Sequence, residues 1–275
     1  MGVLRKSSFA IPSVFLFIGC LDMGGKMQRT IGVLSGKGGV GKTVTAINLS
    51  AALHERGKDS TVIDADISSA NLTVHLGLPD ASVSLQDVLA GKTNLYKAVR
   101  VVPRGLKIIP ASLSLEKSIA DMSGFKKVIA QGGLSGMMFI DSPPGFSREV
   151  YHIMEACDEI IIVTNPDIPS VTDAVKIVEI TKRMNKPTPG IVVTRVEKKS
   201  FEVSPSEIES LCEVPVLGVI PEDKSVKRSI HEKTPLVFHS PRSKAAIEYR
   251  RLAAKLVNED YEQPSMLALR RLLGF

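Results

Sequence analysis

The chain has 275 residues, of which 44% are hydrophobic and 23% are charged. A chain of this length and composition can bury a large apolar core, which excludes an intrinsically disordered protein and favours one α/β domain over two small ones. Its net charge of +6 suits an anionic membrane or a nucleic acid as partner, and it suits ordinary solubility equally well.

Cysteine usage indicates the redox compartment. Cys20, Cys157 and Cys212 are far apart in the sequence, so they form neither a Cys-x-x-Cys pair nor a metal-ligand spacing. We therefore expect unpaired thiols in a reducing, cytoplasmic compartment, with Cys157 and Cys212 packed as small hydrophobic residues.

Residues 1–26 precede the first predicted strand. Arg5 and Lys6 stand before an apolar run over residues 9–21, an order typical of a secretory signal peptide. The run is shorter than the roughly 20 apolar residues that span a bilayer. Because Met27 lies just before the first strand, we favour a mis-called or unstructured extension. A short membrane anchor and true secretion are the alternatives.

After Met27 the chain repeats a short β-branched run followed by an amphipathic helical pattern, which is typical of a parallel sheet covered by helices on both faces. The predicted strands are nearly continuous in apolar residues and are TIGVL, STVID, LKIIP, MMFID, EIIIVT, GIVVT and VLGVI. The longest predicted helices are TVTAINLSAALHERG, SVTDAVKIVEITKRM and SPRSKAAIEYRRLAAKLVN. The sequence thus predicts a domain over residues 27–258, a polar linker over 259–265 and a C-terminal segment over 266–275.

The first strand is followed by SGKGGVGKT, in which Gly36 to Thr43 fit the phosphate-binding pattern G-x-x-x-x-G-K-[ST]. Lys42 is expected to neutralise the β- and γ-phosphates of a nucleotide, and the Thr43 hydroxyl to bind Mg²⁺. The pattern predicts a three-layer P-loop NTPase fold with a mostly parallel, twisted sheet of about seven or eight strands. The residues predicted to surround the phosphates are Gly38, Gly39, Val40, Gly41, Lys42, Thr43 and Val44.

Two further strands end in carboxylates, at the edge where ligands of open α/β sheets bind. STVIDADISSAN supplies Asp64, Asp66 and Asn71, and MMFIDSPPG supplies Asp141 before a tight turn. A carboxylate in this place is typical of the Walker B position, which holds Mg²⁺ or its water ligands. We predict metal support from Thr43, Asp64 and Asp141; plain capping of a turn or helix is the alternative for the aspartates.

With these residues the chain resembles the MinD/ParA family of P-loop ATPases, whose deviant Walker A motif is K-G-G-x-x-K-[ST]. Other matching pieces are DADISSAN, SLQDVLAG, IDSPPG, VTNPDIPSVTD and VIPEDKSVKRSI, several of which look more like the MinD branch than the ParA branch. The resemblance implies an ATPase that forms a homodimer around Mg-ATP. It assigns catalytic roles to Lys37, which would reach the partner's phosphates in trans, to Lys42, and to Asp66, which would orient the attacking water.

The resemblance also implies where the nucleotide base lies. In the family the base contacts two turns, which correspond to Thr194 with Arg195 and to Pro221 with Glu222. Many members have Asn-Arg where this chain has Thr-Arg, so the resemblance implies a purine and leaves adenine or guanine open. A surface arginine at the start of a loop is the alternative for Arg195.

Relatives perform different tasks on one scaffold, so residues outside the nucleotide site must decide among them. Iron–sulfur carriers of the family need cysteine ligands, commonly a close pair, which this chain lacks. ParA-like ATPases bind DNA through basic patches. Basic residues that offer such a patch, or merely a solvated face, are Lys224, Lys227, Arg228, Lys233, Arg242, Lys244, Arg250 and Arg251.

Residues 266–275 read MLALRRLLGF. On a helical wheel most of the apolar side chains fall on one half, while Arg270 and Arg271 fall on the other. A basic amphipathic helix after a polar linker is typical of an interfacial membrane anchor, and it resembles the membrane-targeting helix of the MinD branch. A helix docked on the domain's own core is the alternative.

The segment VTNPDIPSVTDAVKI matches the region where MinD-like proteins meet regulatory partners, and it places Asp167, Ser170 and Asp173 at a helix start. Helix capping is the alternative for Asp167 and Ser170. The sequence thus predicts a cytoplasmic ATPase, reversibly bound to the inner face of the membrane, that positions cell-division or other polar machinery with an unidentified regulatory or cargo protein. A ParA-like partitioning ATPase that binds DNA is the first alternative, and an ATP-dependent iron–sulfur carrier the second.

Overall fold

The computed structural model describes residues 28–78, 82–114, 116 and 120–262. The strands in these residues are β1 Gln28–Leu34, β2 Ser60–Asp64, β3 Arg100–Val101, β4 Lys107–Ile109, β5 Gly136–Asp141, β6 Glu159–Thr164, β7 Gly190–Val196 and β8 Val216–Pro221. They form one sheet in the order β3-β4-β2-β5-β1-β6-β7-β8. All seven predicted strands are present and parallel. The edge strand β3 runs antiparallel to β4. The sequence does not predict it, because two residues are too few to show an alternating pattern.

The helices of the described residues are α1 Lys42–Glu55, α2 Asn71–His75, α3 Leu85–Leu89, α4 Leu95–Ala98, α5 Phe125–Ala130, α6 Arg148–Ala156, α7 Ile168–Arg183, α8 Pro205–Cys212, α9 Lys224–His231, α10 Leu236–His239 and α11 Lys244–Leu256. The three long predicted helices are confirmed as α1, α7 and α11. The last begins after Ser243, whose side chain caps it by accepting a hydrogen bond from the Ala246 N–H.

Helices cover both faces of the sheet, and β6 shows why. Ile160 and Ile162 point into a core shared with α6 and α7, whereas Ile161 and Val163 point into a second core shared with α1 and α11. Side chains alternate along a strand, so a strand between two helical layers must be apolar at every position. The predicted three-layer fold class is confirmed.

The parallel order brings the chemically important strand ends together. β1, β5 and β2 are neighbours, and in their register Asp64 pairs with Asp141 while Asp141 pairs with Val33. Both carboxylates therefore lie at the carboxyl edge of the sheet, beside the loop that follows β1. This is the edge at which open α/β sheets bind ligands.

Two of the predicted segments lie outside the described residues: the N-terminal extension over 1–26 and the amphipathic helix over 266–275. The start of the predicted linker is described, and Glu259 pairs with Arg56 at 2.7 Å and with Lys58 at 2.6 Å. These contacts hold the chain against the end of α1 as it leaves the domain. Among the described helices, none has the length and apolar character needed to cross a bilayer.

Candidate nucleotide site

The phosphate loop, residues 36–43, joins β1 to α1. Gly39 and Gly41 have φ angles of 77° and 99°, in a region that residues with a Cβ seldom enter. Gly36 lies so close to α7 that an added Cβ would come within 2.3 Å of the Asp173 Cβ. The loop leads into the N-terminus of α1, whose first N–H groups have no acceptor within the helix. This geometry suits the binding of an anion.

Lys42 lies inside the loop. Its ammonium is buried and donates a hydrogen bond of 2.9 Å to the Ser35 hydroxyl, which itself donates to the Lys37 carbonyl at 2.6 Å. Burial lowers the pKa of Lys42, and the nearby Asp141 and Asp66 oppose this effect. The ammonium is thus held in place before any phosphate arrives. The glycine–lysine pattern does not identify Ser35, although a hydroxyl residue directly before the pattern is a usable signal.

Lys37 lies at the rim of the same loop. Its side chain is 40% exposed, and its Nζ is 3.6 Å from Oδ1 of Asp167, at the start of α7. An ion pair that solvent reaches from both sides is weak. The two lysines of SGKGGVGKT therefore occupy different places, one enclosed and one available at the surface.

Asp141 is buried at the end of β5. Among the described residues, neither of its carboxylate oxygens has a partner with hydrogen-bond geometry. Burial raises the pKa of Asp141 from its usual 3.8 to about 7, against the opposing effects of the Lys42 ammonium and of the Thr43 hydroxyl, which lies near the carboxyl group without hydrogen-bond geometry. A buried carboxyl group without partners costs stability unless a cation or a proton accompanies it.

Asp64 lies beside Asp141 but is engaged differently. Its Oδ1 accepts the Asp66 N–H at 3.2 Å, and its Oδ2 accepts the Leu72 N–H at 3.0 Å. Burial, and then repulsion from Asp141, raise the pKa of Asp64 well above its usual value. Asp64 therefore fixes the backbone between β2 and α2, a contact between residues eight positions apart that the sequence pattern does not reveal.

Asp66 is buried, and two side chains of its own loop fix its orientation. The Ser68 hydroxyl donates to its Oδ1 at 2.9 Å, and the Asn71 amide donates to its Oδ2 at 3.1 Å. The structure thus joins Asp66 to Asn71, both of which the sequence places near the nucleotide. That Asp66 orients the attacking water stays a prediction.

The residues at this edge fit Mg²⁺ that brings its own water and phosphate ligands. Mg²⁺ takes oxygen ligands and commonly keeps several waters. In the described part of the chain, no group of three His, Cys, Asp or Glu side chains could hold a metal by itself. The partnerless oxygens of Asp141 beside Thr43 match such an ion. Metal support by Thr43, Asp64 and Asp141 stays a prediction, and Asp141 fits it best because both oxygens of Asp64 already accept N–H groups.

The two turns that the resemblance assigns to the base lie next to each other. The Glu222 N–H donates to the Val196 carbonyl at 3.0 Å, so the turn after Pro221 is joined to the end of β7. Arg195 is exposed and has a φ of 58°. Thr194 is buried, and its hydroxyl points to the phosphate loop, where it donates to the Val40 carbonyl at 2.5 Å.

We expect the Arg195→Ala variant to bind ADP about three- to tenfold more weakly, because a base would lose contact with the guanidinium plane. Isothermal titration calorimetry in the presence of Mg²⁺ measures this. Lys198→Ala is the matched control, since Lys198 is also exposed and has a φ of 62°. Equal ADP affinities for both variants would show that Arg195 does not contact the nucleotide.

At the start of α7, Asp167 and Ser170 form the helix cap that was the alternative to their predicted contact with a partner protein. Asp167 caps the helix: its Oδ1 accepts the Ser170 N–H at 2.9 Å and its Oδ2 accepts the Ser170 hydroxyl at 2.8 Å. Asp173 instead pairs with Lys176 at 3.0 Å. A partner role for these residues stays a prediction.

The glycine-rich loop joins a buried strand to a helix, and carboxylates end the neighbouring strands of a mostly parallel sheet. This arrangement in a three-layer fold defines a P-loop nucleotide-binding protein. Residues 31–236 match the model of the CobQ/CobB/MinD/ParA nucleotide binding domain. The chain therefore belongs to the MinD/ParA family of P-loop ATPases, as its sequence motifs predict.

Individual relatives agree with this assignment. An uncharacterised ATP-binding protein of Methanocaldococcus jannaschii is 42% identical over 238 residues, or 86% of this chain and 90% of the relative. The septum site-determining protein MinD of Pyrococcus horikoshii, solved with Mg-ADP, has a TM-score of 0.80 at 34% identity and covers 84% of this chain and 96% of its own. A chain of the MinC:MinD cell division protein complex of Aquifex aeolicus has a TM-score of 0.76 at 28% identity and covers 86% of this chain and 98% of its own.

Proposed function

We propose that the protein is an ATPase that dimerises on Mg-ATP, binds a membrane reversibly through residues 266–275, and takes part in the spatial positioning of cell division or other polar machinery. The observation that carries the proposal is the separate placement of two lysines in one loop. Lys42 is buried beside the carboxylates, whereas Lys37 is half-buried at the rim, where solvent reaches it.

Each lysine suits a different step. Lys42 neutralises the phosphates of the nucleotide bound in its own loop. Lys37 lies at the rim, paired with the solvent-exposed Asp167, so it can stabilise charge on a second copy's transferring phosphoryl group once the two copies meet. A bound Mg²⁺ supported by Thr43 and Asp141 would supply further neutralisation of the phosphates. Because Lys37 acts only in the pair, hydrolysis depends on assembly.

Asp66 is the residue we assign to the attacking water. Its carboxylate is buried and is held by Ser68 and Asn71, so it offers a fixed acceptor rather than a mobile one. A fixed acceptor orients a water molecule without being a strong general base. We therefore expect slow hydrolysis in the absence of a regulatory partner.

The relatives support the cellular part of the proposal. One of them is an ATP-binding protein, one is a septum site-determining protein solved with Mg-ADP, and one belongs to a complex with MinC. We infer by similarity that this chain also uses ATP and Mg²⁺ and meets a regulatory or cargo protein. The exposed Ile168 beside Asp167 at the start of α7 offers a surface for such a partner.

Membrane binding has a direct test. We expect at least about tenfold more full-length protein to sediment with anionic liposomes in Mg-ATP than in Mg-ADP, because two amphipathic helices on one dimer add their binding free energies. A variant that ends at residue 265 should sediment no more in ATP than in ADP. Neutral liposomes control for the electrostatic contribution. Equal sedimentation of the shortened and full-length proteins would contradict the membrane role.

The basic surface of α9 favours a second candidate function. Lys224, Lys227 and Arg228 are all exposed on this helix. A ParA-like ATPase would bind duplex DNA in Mg-ATP with an affinity that falls steeply with salt. DNA binding of this kind without liposome binding would favour partitioning over membrane-based positioning.

A further inference from the structure

We propose that Thr194 and Asn165 are positioning residues that hold the phosphate loop in its binding conformation through the Val40 carbonyl. This inference rests on the proposed nucleotide binding and adds two residues, from the ends of β6 and β7, to that site. Neither residue belongs to the glycine–lysine pattern or to the carboxylate strands.

The contacts form a continuous chain of hydrogen bonds. The Asn165 amide donates to the Thr194 hydroxyl at 2.9 Å and to the Thr194 carbonyl at 3.1 Å. The Thr194 hydroxyl has a single proton, and its shortest contact is the Val40 carbonyl at 2.5 Å; the Thr164 carbonyl is farther away, at 3.3 Å. Because Asn165 fills the acceptor side of that hydroxyl, its proton is directed to Val40.

The Val40 carbonyl, which accepts the hydrogen bond from Thr194, lies in a part of the loop where glycines leave the backbone free to turn. Val40 stands between Gly39 and Gly41, which have φ angles of 77° and 99°, and glycine restricts its backbone less than any other residue. The side chain of Val40 is itself buried. The Thr194 hydroxyl therefore adds a directional restraint to a peptide that two flexible neighbours would otherwise leave free to turn.

The hydrogen bond to the Val40 carbonyl also sets the direction of the next N–H group, which can bind phosphate, because a peptide unit is planar. The Val40 carbonyl and the Gly41 N–H belong to the same trans unit, so they point in opposite directions. Holding the carbonyl toward Thr194 directs the Gly41 N–H away from β7. If the unit turned over, a carbonyl oxygen would replace an N–H in a loop that must bind an anion.

The same contact changes what Thr194 can do for the base. With its one proton given to Val40 and one of its two lone pairs engaged by Asn165, the hydroxyl has no donor left for a purine and only one acceptor site. Of the Thr-Arg pair, Thr194 serves the phosphate side and Arg195, which is exposed, serves the base. The two neighbouring residues thus make separable contributions to nucleotide affinity.

The test compares ADP affinity, measured calorimetrically with Mg²⁺, among four proteins. Thr194→Val removes the hydroxyl at nearly constant volume and should weaken ADP binding by roughly tenfold. Thr194→Ser keeps the hydroxyl and should stay within about threefold of wild type. Thr181→Val is the matched control, because Thr181 is a fully buried threonine of α7 whose hydroxyl donates to the Val178 carbonyl, away from the loop. It should bind ADP as the wild type does.

If Thr194→Val and Thr181→Val both unfolded at lower denaturant concentrations and both bound ADP more weakly, the cause would be a general loss of stability. This result would overturn the inference. Wild-type affinity in Thr194→Val would overturn it as well, as would a loss in Thr194→Ser as large as that in Thr194→Val. Failure of the wild type to bind ADP would overturn the proposed function and this inference together. Normal binding by the wild type and by Thr194→Val would overturn the inference alone.

Discussion

Replacing Lys37 with alanine is expected to lower the rate of ATP hydrolysis by about 100-fold or more while changing ATP affinity by less than about threefold. The affinity should survive because Lys42, which is buried beside the carboxylates, neutralises the nucleotide in its own loop. The rate should fall because Lys37, at the rim of the loop and held by a weak ion pair with Asp167, is the lysine that we propose reaches a second copy. Phosphate release at saturating Mg-ATP and calorimetric titration with ATP measure the two quantities.

The stability of the fold should change little in this variant. Lys37 gives up one solvent-exposed ion pair, with Asp167 at 3.6 Å, and such pairs contribute about 0–1 kcal/mol. Lys182→Ala is the matched control: Lys182 is also exposed, and it pairs with Glu213 at 2.6 Å on the far end of α7. Hydrolysis at the wild-type rate by Lys37→Ala would refute the assigned role, and an equal loss in Lys182→Ala would show that surface charge is the cause.

Replacing Asp141 with asparagine is expected to stabilise the nucleotide-free protein at pH 8 and to abolish the stabilisation that Mg-ADP gives to the wild type. Burial raises the pKa of Asp141 from 3.8 to about 7, so the folded state holds this proton more tightly than the unfolded state does. The free energy of unfolding therefore falls as the pH rises from 3.8 to about 7, and the whole contribution is lost above that pH. Asparagine cannot ionise, and the expected gain at pH 8 is on the order of 2–4 kcal/mol.

Denaturant unfolding at pH 4 and pH 8, with and without Mg-ADP, measures both effects. The two proteins should differ little at pH 4, where Asp141 is protonated in the folded state. Asp121→Asn is the control, because Asp121 is fully exposed and hydrogen bonds from Ser123 lower its pKa; this change should not stabilise the protein at pH 8. A less stable Asp141→Asn variant at pH 8 would contradict the raised pKa of Asp141. Undiminished stabilisation of the variant by Mg-ADP would contradict the metal assignment.

The parts of the fold that the sequence predicts are those with a local cause. Strands buried on both faces must be apolar throughout, so EIIIVT and MMFID mark β6 and β5 without any knowledge of their neighbours. Gly36 to Thr43 are contiguous, so the phosphate loop is visible in one line of sequence. Asp64 and Asp141 end two such strands, and parallel packing alone brings them to one edge.

The parts that escape prediction depend on contacts between distant residues. Val40 and Thr194 are separated by 154 positions and Asn165 and Thr194 by 29, and no local pattern links a threonine near the end of a strand to a particular carbonyl. The same holds for Asp167, whose proximity to Lys37 becomes visible only when α7 packs against the loop. The loop between β2 and α2 also gives Asp64 a backbone-fixing contact, over eight positions, that its strand-end position does not suggest.

Mixing two inactive variants tests most directly the claim that hydrolysis requires Lys37 from a second copy. In a dimer of one Lys37→Ala chain and one Asp66→Ala chain, the site that retains Asp66 receives Lys37 from its partner, while the other site lacks both. Random pairing in an equimolar mixture should therefore restore about a quarter of the wild-type rate of phosphate release, although each variant alone is inactive. A mixture that stays as inactive as its components would contradict the account.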